Sequence, residues 1–301
     1  MTGTSNPLLS PPLLRRLEQF QLLARKRAKS SLKGERRSRA RGQSVEFADY
    51  RNYVAGDDFR YLDWNLYGRL EKLFLKLYEE ERELPFSVYL DASESMSFGS
   101  PSKFAFAQQT AAAMGYVALC GFDRVRVNVF PETGEALTAR QALQSVRGRK
   151  SSLSFFRHLN ELSPGGTGVF NEFLRRNAMN AKQAGVAVVL SDFLDPAGYE
   201  NGFSALLSRG FHVHAIQILA AEELHPSTFG DLKLIDAETG GIQEVTFGRH
   251  RLAAYQQTVN NFCGRLREYC TSRGINYFLA ASNTPLEKLL LQQLREAEVW
   301  G

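Results

Sequence analysis

Apolar positions along the chain fall into two different periods. Over residues 13–26 they recur every three residues, at Leu14, Leu17, Phe20 and Leu23, which predicts a helix that packs on something. The Ser- and Arg-rich stretch that follows carries too few apolar residues for a core element and reads as a loop or arm. Residues 47–67 are dense in aromatic and paired charged side chains. Leu73, Leu75 and Leu77 then alternate with Phe74, Lys76 and Tyr78, a strand pattern that runs into the acidic residues 79–83 and suits a sheet edge.

From Pro85 the pattern changes to short apolar strands separated by helices. Strands are predicted at 86–90, 125–130, 186–190, 211–219 and 275–280, and helices at 103–120, 139–146, 153–162 and 170–184, with another ending at 205–208. A small hairpin is predicted at 232–235 and 242–246, then a helix before the last strand and another after it. This βαβ rhythm predicts an α/β fold, a doubly wound and mostly parallel Rossmann-like sheet over residues 85–301. Residues 1–84 then form an N-terminal extension made of helix, basic arm, aromatic and acidic segment, and edge strand.

Composition narrows the setting. A 44% hydrophobic chain of 301 residues has enough apolar matter for one large core. Its longest weakly polar run, residues 111–122, is far short of the roughly 20 apolar residues a membrane span needs and contains two glycines, so no membrane helix is expected. The first twelve residues have no basic stretch leading into an apolar core, which speaks against secretion. Cys120, Cys263 and Cys270 form no C-x-x-C pair, and an odd number suits thiols kept reduced in the cytoplasm. The net charge of +5 is local: residues 25–41 hold nine Lys/Arg and one acid, leaving the rest of the chain at −3.

In doubly wound sheets, ligands sit beyond the carboxyl ends of the strands. The strand at 86–90 runs into Asp91-Ala92-Ser93-Glu94-Ser95-Met96, and the strand at 186–190 runs into Ser191-Asp192. A third loop, Pro164-Gly165-Gly166-Thr167-Gly168, has glycines for a tight approach and one hydroxyl. Asp91, Ser93, Ser95, Thr167 and Asp192 together offer two carboxylates and three hydroxyls, the oxygen chemistry of Mg²⁺ or Mn²⁺ rather than zinc. Any one loop alone reads as turn and helix-cap chemistry; the three together point to a metal site.

This pattern resembles the metal-ion-dependent adhesion site of von Willebrand factor A-type (vWA) domains, over roughly residues 85–282. Upstream, Arg41-Gly42-Gln43-Ser44-Val45-Glu46-Phe47, Arg51-Asn52-Tyr53, Gly56-Asp57-Asp58-Phe59-Arg60 and Asp63-Trp64, continuing to Arg69, resemble a narrower group, the domain of unknown function 58 family. Ser44 stands where many members carry a second Gly, and the membrane-spanning segments of some relatives have no counterpart here. The resemblance implies a non-enzymatic, metal-bearing interaction domain that works beside a MoxR-type AAA+ ATPase in protein maturation or complex assembly. It also implies that Ser93, Ser95 and Thr167 hold the ion through hydroxyls while Asp91 and Asp192 hold it directly or through water.

With three neutral hydroxyls and at most two carboxylates, the ion's charge is incompletely neutralised, so a sixth position suits a carboxylate from an acidic client. Glu94, inside the loop, is an internal candidate for that position. The upstream residues Glu46, Asp57, Asp58, Arg60, Asp63, Trp64 and Arg69 read first as a structural staple of ion pairs and stacking, and second as a partner-facing surface, since no His or Cys nucleophile accompanies them.

Two other functions remain as alternatives. A metal-dependent phosphohydrolase would use Asp91 as nucleophile, but Ser93 occupies the place of its usual general acid. Nucleic-acid binding through the basic arm is weakened by the lack of aromatic residues between Leu23 and Val45 and by the acidic remainder. No phosphate-binding glycine loop or G-x-S-x-G elbow is present. His212 and His214 sit at strand spacing without a third ligand nearby and read as structural, and His158, His225 and His250 as surface or cap residues.

Overall fold

The Ser10 hydroxyl accepts the Leu13 N–H at 3.4 Å and Pro11 takes the first helical position, where its missing N–H is no loss, so α1 (Pro11–Leu17) starts where cap and proline dictate. It ends at Leu17, capped at Glu18; of the helix expected over 13–26, residues 21–26 lie outside the described residues. The computed structural model describes residues 8–20, 45–80, 84–131, 145–226, 230–235, 242–247, 249–296 and 299. The basic arm and most of the helix expected at 139–146 lie outside them. The chain divides into two units, residues 1–29 with 84–301, and residues 30–83.

In the smaller unit, β1 (Val45–Asn52) and, beyond α2 (Trp64–Leu70), β2 (Phe74–Glu80) pair antiparallel, with Val45 opposite Glu80 and Asn52 opposite Phe74. The expected edge strand therefore belongs to a two-stranded sheet of its own, not to the parallel sheet. A register irregularity between Phe47 and Asp49 interrupts the two-residue period of β1, which is why its alternation is invisible in the sequence. Asp63 caps α2: its Oδ1 accepts the N–H groups of Asn65 at 3.0 Å and Leu66 at 3.2 Å, while Oδ2 accepts the Tyr50 hydroxyl at 3.0 Å.

The larger unit is built on β3 (Pro85–Asp91), α3 (Lys103–Cys120), β4 (Arg124–Phe130), β5 (Val146–Arg147), α4 (Ser152–Glu161), α5 (Phe170–Asn180), β6 (Val186–Ser191), α6 (Glu200–Ser208), β7 (His212–Leu219) and α7 (Ala221–Leu224). The hairpin β8 (Gly230–Ile235) and β9 (Ile242–Phe247), then α8 (Arg249–Ser272) and β10 (Asn276–Ala281), lead into helical turns over 286–296. The sheet runs β10-β7-β6-β3-β4-β5, parallel except for β5, whose Val146 and Arg147 pair antiparallel with Val125 and Arg124 instead of ending a helix.

Alternate side chains of the strands feed two cores. Phe86, Val88, Leu90, Val188 and Leu190 pack with α1, α3 and α4 through Leu13, Leu17, Met114, Phe155 and Leu159. Tyr89, Ala187, Val189 and Ala215 face α5, α6 and α8 through Phe173, Leu174, Phe203 and Leu266. Helices thus cover both faces, the doubly wound α/β arrangement, and Cys263 and Cys270 are free, buried thiols. Leu13 and Leu17 place α1, part of the expected extension, in the core of this unit. Among the described residues no helix is long and apolar enough to cross a membrane.

Strand β3 has β4 on one side and β6 on the other, so the direction of winding reverses between β3 and β6. A crevice opens at the carboxyl ends of such a pair. Asp91 ends β3, and Asp192 directly follows β6.

Candidate functional site

The backbone turns sharply after β3, and Asp91 organises the turn. Its Oδ1 accepts the Ser93 N–H at 2.9 Å and the Ser93 hydroxyl at 2.7 Å, while Oδ2 accepts the Ser191 hydroxyl at 2.5 Å across the gap to β6. The Ser95 hydroxyl donates to Asp192 Oδ2 at 2.9 Å, and the oxygens of Ser93 and Ser95 lie 3.2 Å apart. Asp192 is fixed in turn by the Leu194 N–H on its Oδ1 at 3.0 Å. The structure therefore brings four of the five expected ligands, Asp91, Ser93, Ser95 and Asp192, into one hydrogen-bonded cluster.

Thr167 is exposed, in a loop pinned to the Asp91 turn. The Gly165 N–H donates to the Ala92 carbonyl at 2.8 Å, and the Glu94 N–H donates to the Gly166 carbonyl at 3.1 Å. Bonds on both sides of this turn hold Thr167 one residue beyond the contact. Gly165 has φ +154°, and the Glu94 carboxylate lies 3.8 Å from where a Cβ on it would stand, so Glu94 leans over the glycine turn.

Proton counting defines the character of the cluster. A hydroxyl has one proton to donate. Ser93 donates to Asp91 and Ser95 donates to Asp192, and the two hydroxyl oxygens, 3.2 Å apart, are within hydrogen-bond distance of each other with either able to donate. Asp91 is 4% exposed; burial first, and the Asp192 charge second, push its carboxyl up to about 7 against the hydrogen bonds of Ser191 and Ser93. The cluster is rich in oxygen acceptors.

Three residues complete the site that the sequence patterns did not single out. Lys103, 1% exposed, donates from Nζ to Asp192 Oδ2 at 2.8 Å and to Glu223 Oε1 at 2.7 Å. Burial lowers its affinity for the proton, but the charges of Asp192 and Glu223 outweigh this and raise its pKa. Glu223 is itself tied down by the Ala220 N–H on Oε2 at 2.7 Å. The available signal was position: Lys103 is the first residue of a largely apolar helix, where the helix dipole disfavours a cation.

Ser191 is the third. Its hydroxyl donates to Asp91 and accepts the Phe193 N–H at 2.9 Å, joining β6 to β3. Ser191→Ala leaves both buried partners unsatisfied and is expected to cost about 1–3 kcal/mol in urea unfolding; a loss below about 0.5 kcal/mol would show that the bond is dispensable.

The upstream residues lie in the smaller unit and pair locally. Arg51 grips Asp57 through two bonds of 2.8 and 2.6 Å, and Arg60 grips Asp58, its shortest bond 2.6 Å. Asp63 is the buried cap of α2, Trp64 is 62% exposed with its ring edge-on to Tyr67, and Arg69 sits exposed in the last turn of α2. Glu46 is on β1 opposite Glu79. His214 is buried and meets the Asn276 amide at 3.2 Å, His212 is exposed, and His225 is an exposed cap. His158, expected at a surface or cap position, lies buried in the last turn of α4, and burial lowers its pKa. Among the described residues no three His, Cys, Asp or Glu side chains gather to hold a metal.

The family described as "Protein of unknown function DUF58" matches residues 49–261 of this chain. The uncharacterized protein Rv1480 of Mycobacterium tuberculosis is 27% identical over 242 residues, which cover 78% of this chain and 74% of that protein. The uncharacterized protein Mb1516 of Mycobacterium bovis gives the same figures. Among solved structures, the conserved hypothetical protein BatB from Bacteroides thetaiotaomicron aligns over 71% of this chain and 98% of its own, with TM-score 0.43 and 14% identity. An aerotolerance-related membrane protein from Bacteroides fragilis aligns over 72% of this chain and 98% of its own, with TM-score 0.41 and 15% identity. The family match runs through the Asp57-Asp58 segment and all three loops that carry Asp91, Thr167 and Asp192, and on its extent the chain belongs to the DUF58 family of proteins of unknown function.

Proposed function

We propose that this protein is a non-enzymatic interaction module of the vWA type that binds an acidic protein partner through a divalent metal ion. The observation that carries this reading is the pair of hydroxyl oxygens of Ser93 and Ser95, 3.2 Å apart and each hydrogen-bonded to a buried carboxylate. An all-oxygen, lone-pair-rich crevice at the winding switch suits Mg²⁺ or Mn²⁺. Ser93, Ser95 and Asp91 would hold the ion, with Asp192 and Thr167 beside them, and the bound ion would supply an electrophilic point for a partner's Asp or Glu. Ser191 and the backbone N–H of Ser93 orient Asp91, and Leu194 orients Asp192. The partner favoured by the family resemblance is a MoxR-type AAA+ ATPase or its acidic client, and three free thiols suit a reducing compartment such as the cytoplasm.

The phosphohydrolase alternative has less support. The residue two positions after Asp91, where such enzymes place a general acid, is Ser93, whose hydroxyl donates to Asp91 and cannot serve near neutral pH.

Affinity capture from native lysate tests the reading, using the wild-type chain and Ser93→Ala, each with Mg²⁺ and with EDTA. The expected result is an AAA+ ATPase or one acidic client retained by wild type with Mg²⁺ and lost in the other three samples. The same proteins retained in all four would refute metal-dependent binding.

A further inference from the structure

The buried ammonium of Lys103 shares an acceptor with the cluster: Asp192 Oδ2 receives both Lys103 at 2.8 Å and Ser95 at 2.9 Å. Its other partner, Glu223 on α7, lies further toward solvent, with 19% of its side chain exposed against 3% for Asp192. The protein thus carries a permanent, immobile cation next to the place its oxygen cluster offers to a mobile one. Two consequences follow from charge alone. Lys103 neutralises one of the two buried carboxylates, and it repels any second cation a few ångströms away.

We propose that Lys103 is the residue that makes cation binding conditional on the partner: it keeps Asp192 from acting as a full anionic ligand, so the site holds a divalent ion weakly until an incoming carboxylate restores the missing negative charge. This rests on the metal-dependent reading above. Lys103 is a positioning residue, since it touches Asp192 and Glu223 and acts on the ion through them. Glu223 has the opposite influence, because it draws the ammonium away from Asp192 and adds a negative charge behind it. The cost of the arrangement is a weak resting site, and its use is selectivity, since ion and carboxylate bind well only together.

Mn²⁺ alone, titrated into the partner-free full chain and followed by calorimetry and by loss of the free-ion electron paramagnetic resonance signal, tests this. Lys103→Met is expected to bind Mn²⁺ tighter than wild type by about tenfold or more, Lys103→Arg to match wild type, and Glu223→Gln to bind more weakly. Because Lys103→Met strands Asp192, the double variant Lys103→Met/Glu223→Gln is compared with Glu223→Gln as well; these two differ in the lysine ammonium and its bond to Asp192, and the double is expected to bind tighter by about tenfold or more. Unchanged or weaker binding in both Lys103→Met proteins, with binding abolished by Ser93→Ala, would overturn the role of Lys103 and leave the metal site standing. No saturable Mn²⁺ binding in wild type or any variant would overturn both.

Discussion

Lys103→Met, unfolded in urea with EDTA present, is expected to lose about 3–5 kcal/mol relative to wild type. The reason is the asymmetry of a buried ion pair. Removing both charges from an interior is often nearly neutral, because desolvation offsets attraction, whereas removing one leaves the other without compensation. Asp192 is 2% exposed and cannot turn to water, while Glu223 on the short helix α7 has a route to solvent. Most of the loss should therefore come from Asp192, and Lys103→Met/Asp192→Asn should recover more of it than Lys103→Met/Glu223→Gln. The loss should also change little between low and high salt, since counterions screen exposed charges far better than buried ones. A loss under about 1 kcal/mol, or one that salt removes, would mean that the ammonium is a surface charge in solution. If Mn²⁺ restores the midpoint of the variant more than it raises that of wild type, ion and ammonium serve the same carboxylates.

Much of the larger unit is written in its apolar runs. Phe86 to Leu90 and Val186 to Leu190 alternate between two cores, the first followed at once by Asp91 and the second by Ser191 and then Asp192. A buried strand has to be apolar, so a polar residue straight after one stands out. Asp91, Ser93, Ser95 and Asp192 were legible for that reason. Thr167 rests on its glycines, whose backbone bonds to Ala92 and Glu94 the structure supplies.

Other features have no such signature. Lys103 has only its place at the start of an apolar helix to mark it, because its partners Asp192 and Glu223 are 89 and 120 residues away. Ser191 looks like a turn former, and only the adjacency of β3 and β6 turns its hydroxyl onto Asp91. In the smaller unit, the irregular register of β1 removes the alternation that would have shown the strand. Val146 falls at the end of the helix expected at 139–146 because a two-residue edge strand is too short to display a period at all. The burial of His158 has no signal in the sequence, because a lone histidine on an amphipathic helix carries no mark of which face it takes.

Gly185→Ala is expected to destabilise the protein by about 3 kcal/mol, although a single methyl is all that it adds. The cause is approach rather than backbone angle. A Cβ at Gly185 would overlap the carbonyl oxygen of Pro85 and stand 2.8 Å from its carbon and 2.9 Å from its Cβ. Backbone cannot yield there as a side chain would. Pro85 opens β3, and Gly185 is held from the other side by the His212 N–H on its carbonyl at 2.9 Å, so the glycine is clamped between two neighbouring strands. Relief requires β3 and β6 to separate at their amino ends, which strains the pairing of Phe86 with Val186 and of Ser87 with Ala187. The same two strands deliver Asp91 and Asp192 at their other ends. Urea unfolding measures the loss, and amide exchange at 186–188 should rise more than at β7. If Gly185→Ala unfolds within about 1 kcal/mol of wild type, the strands at that end are free to move apart, and the fixed spacing on which the Ser191–Asp91 bond depends is not set there.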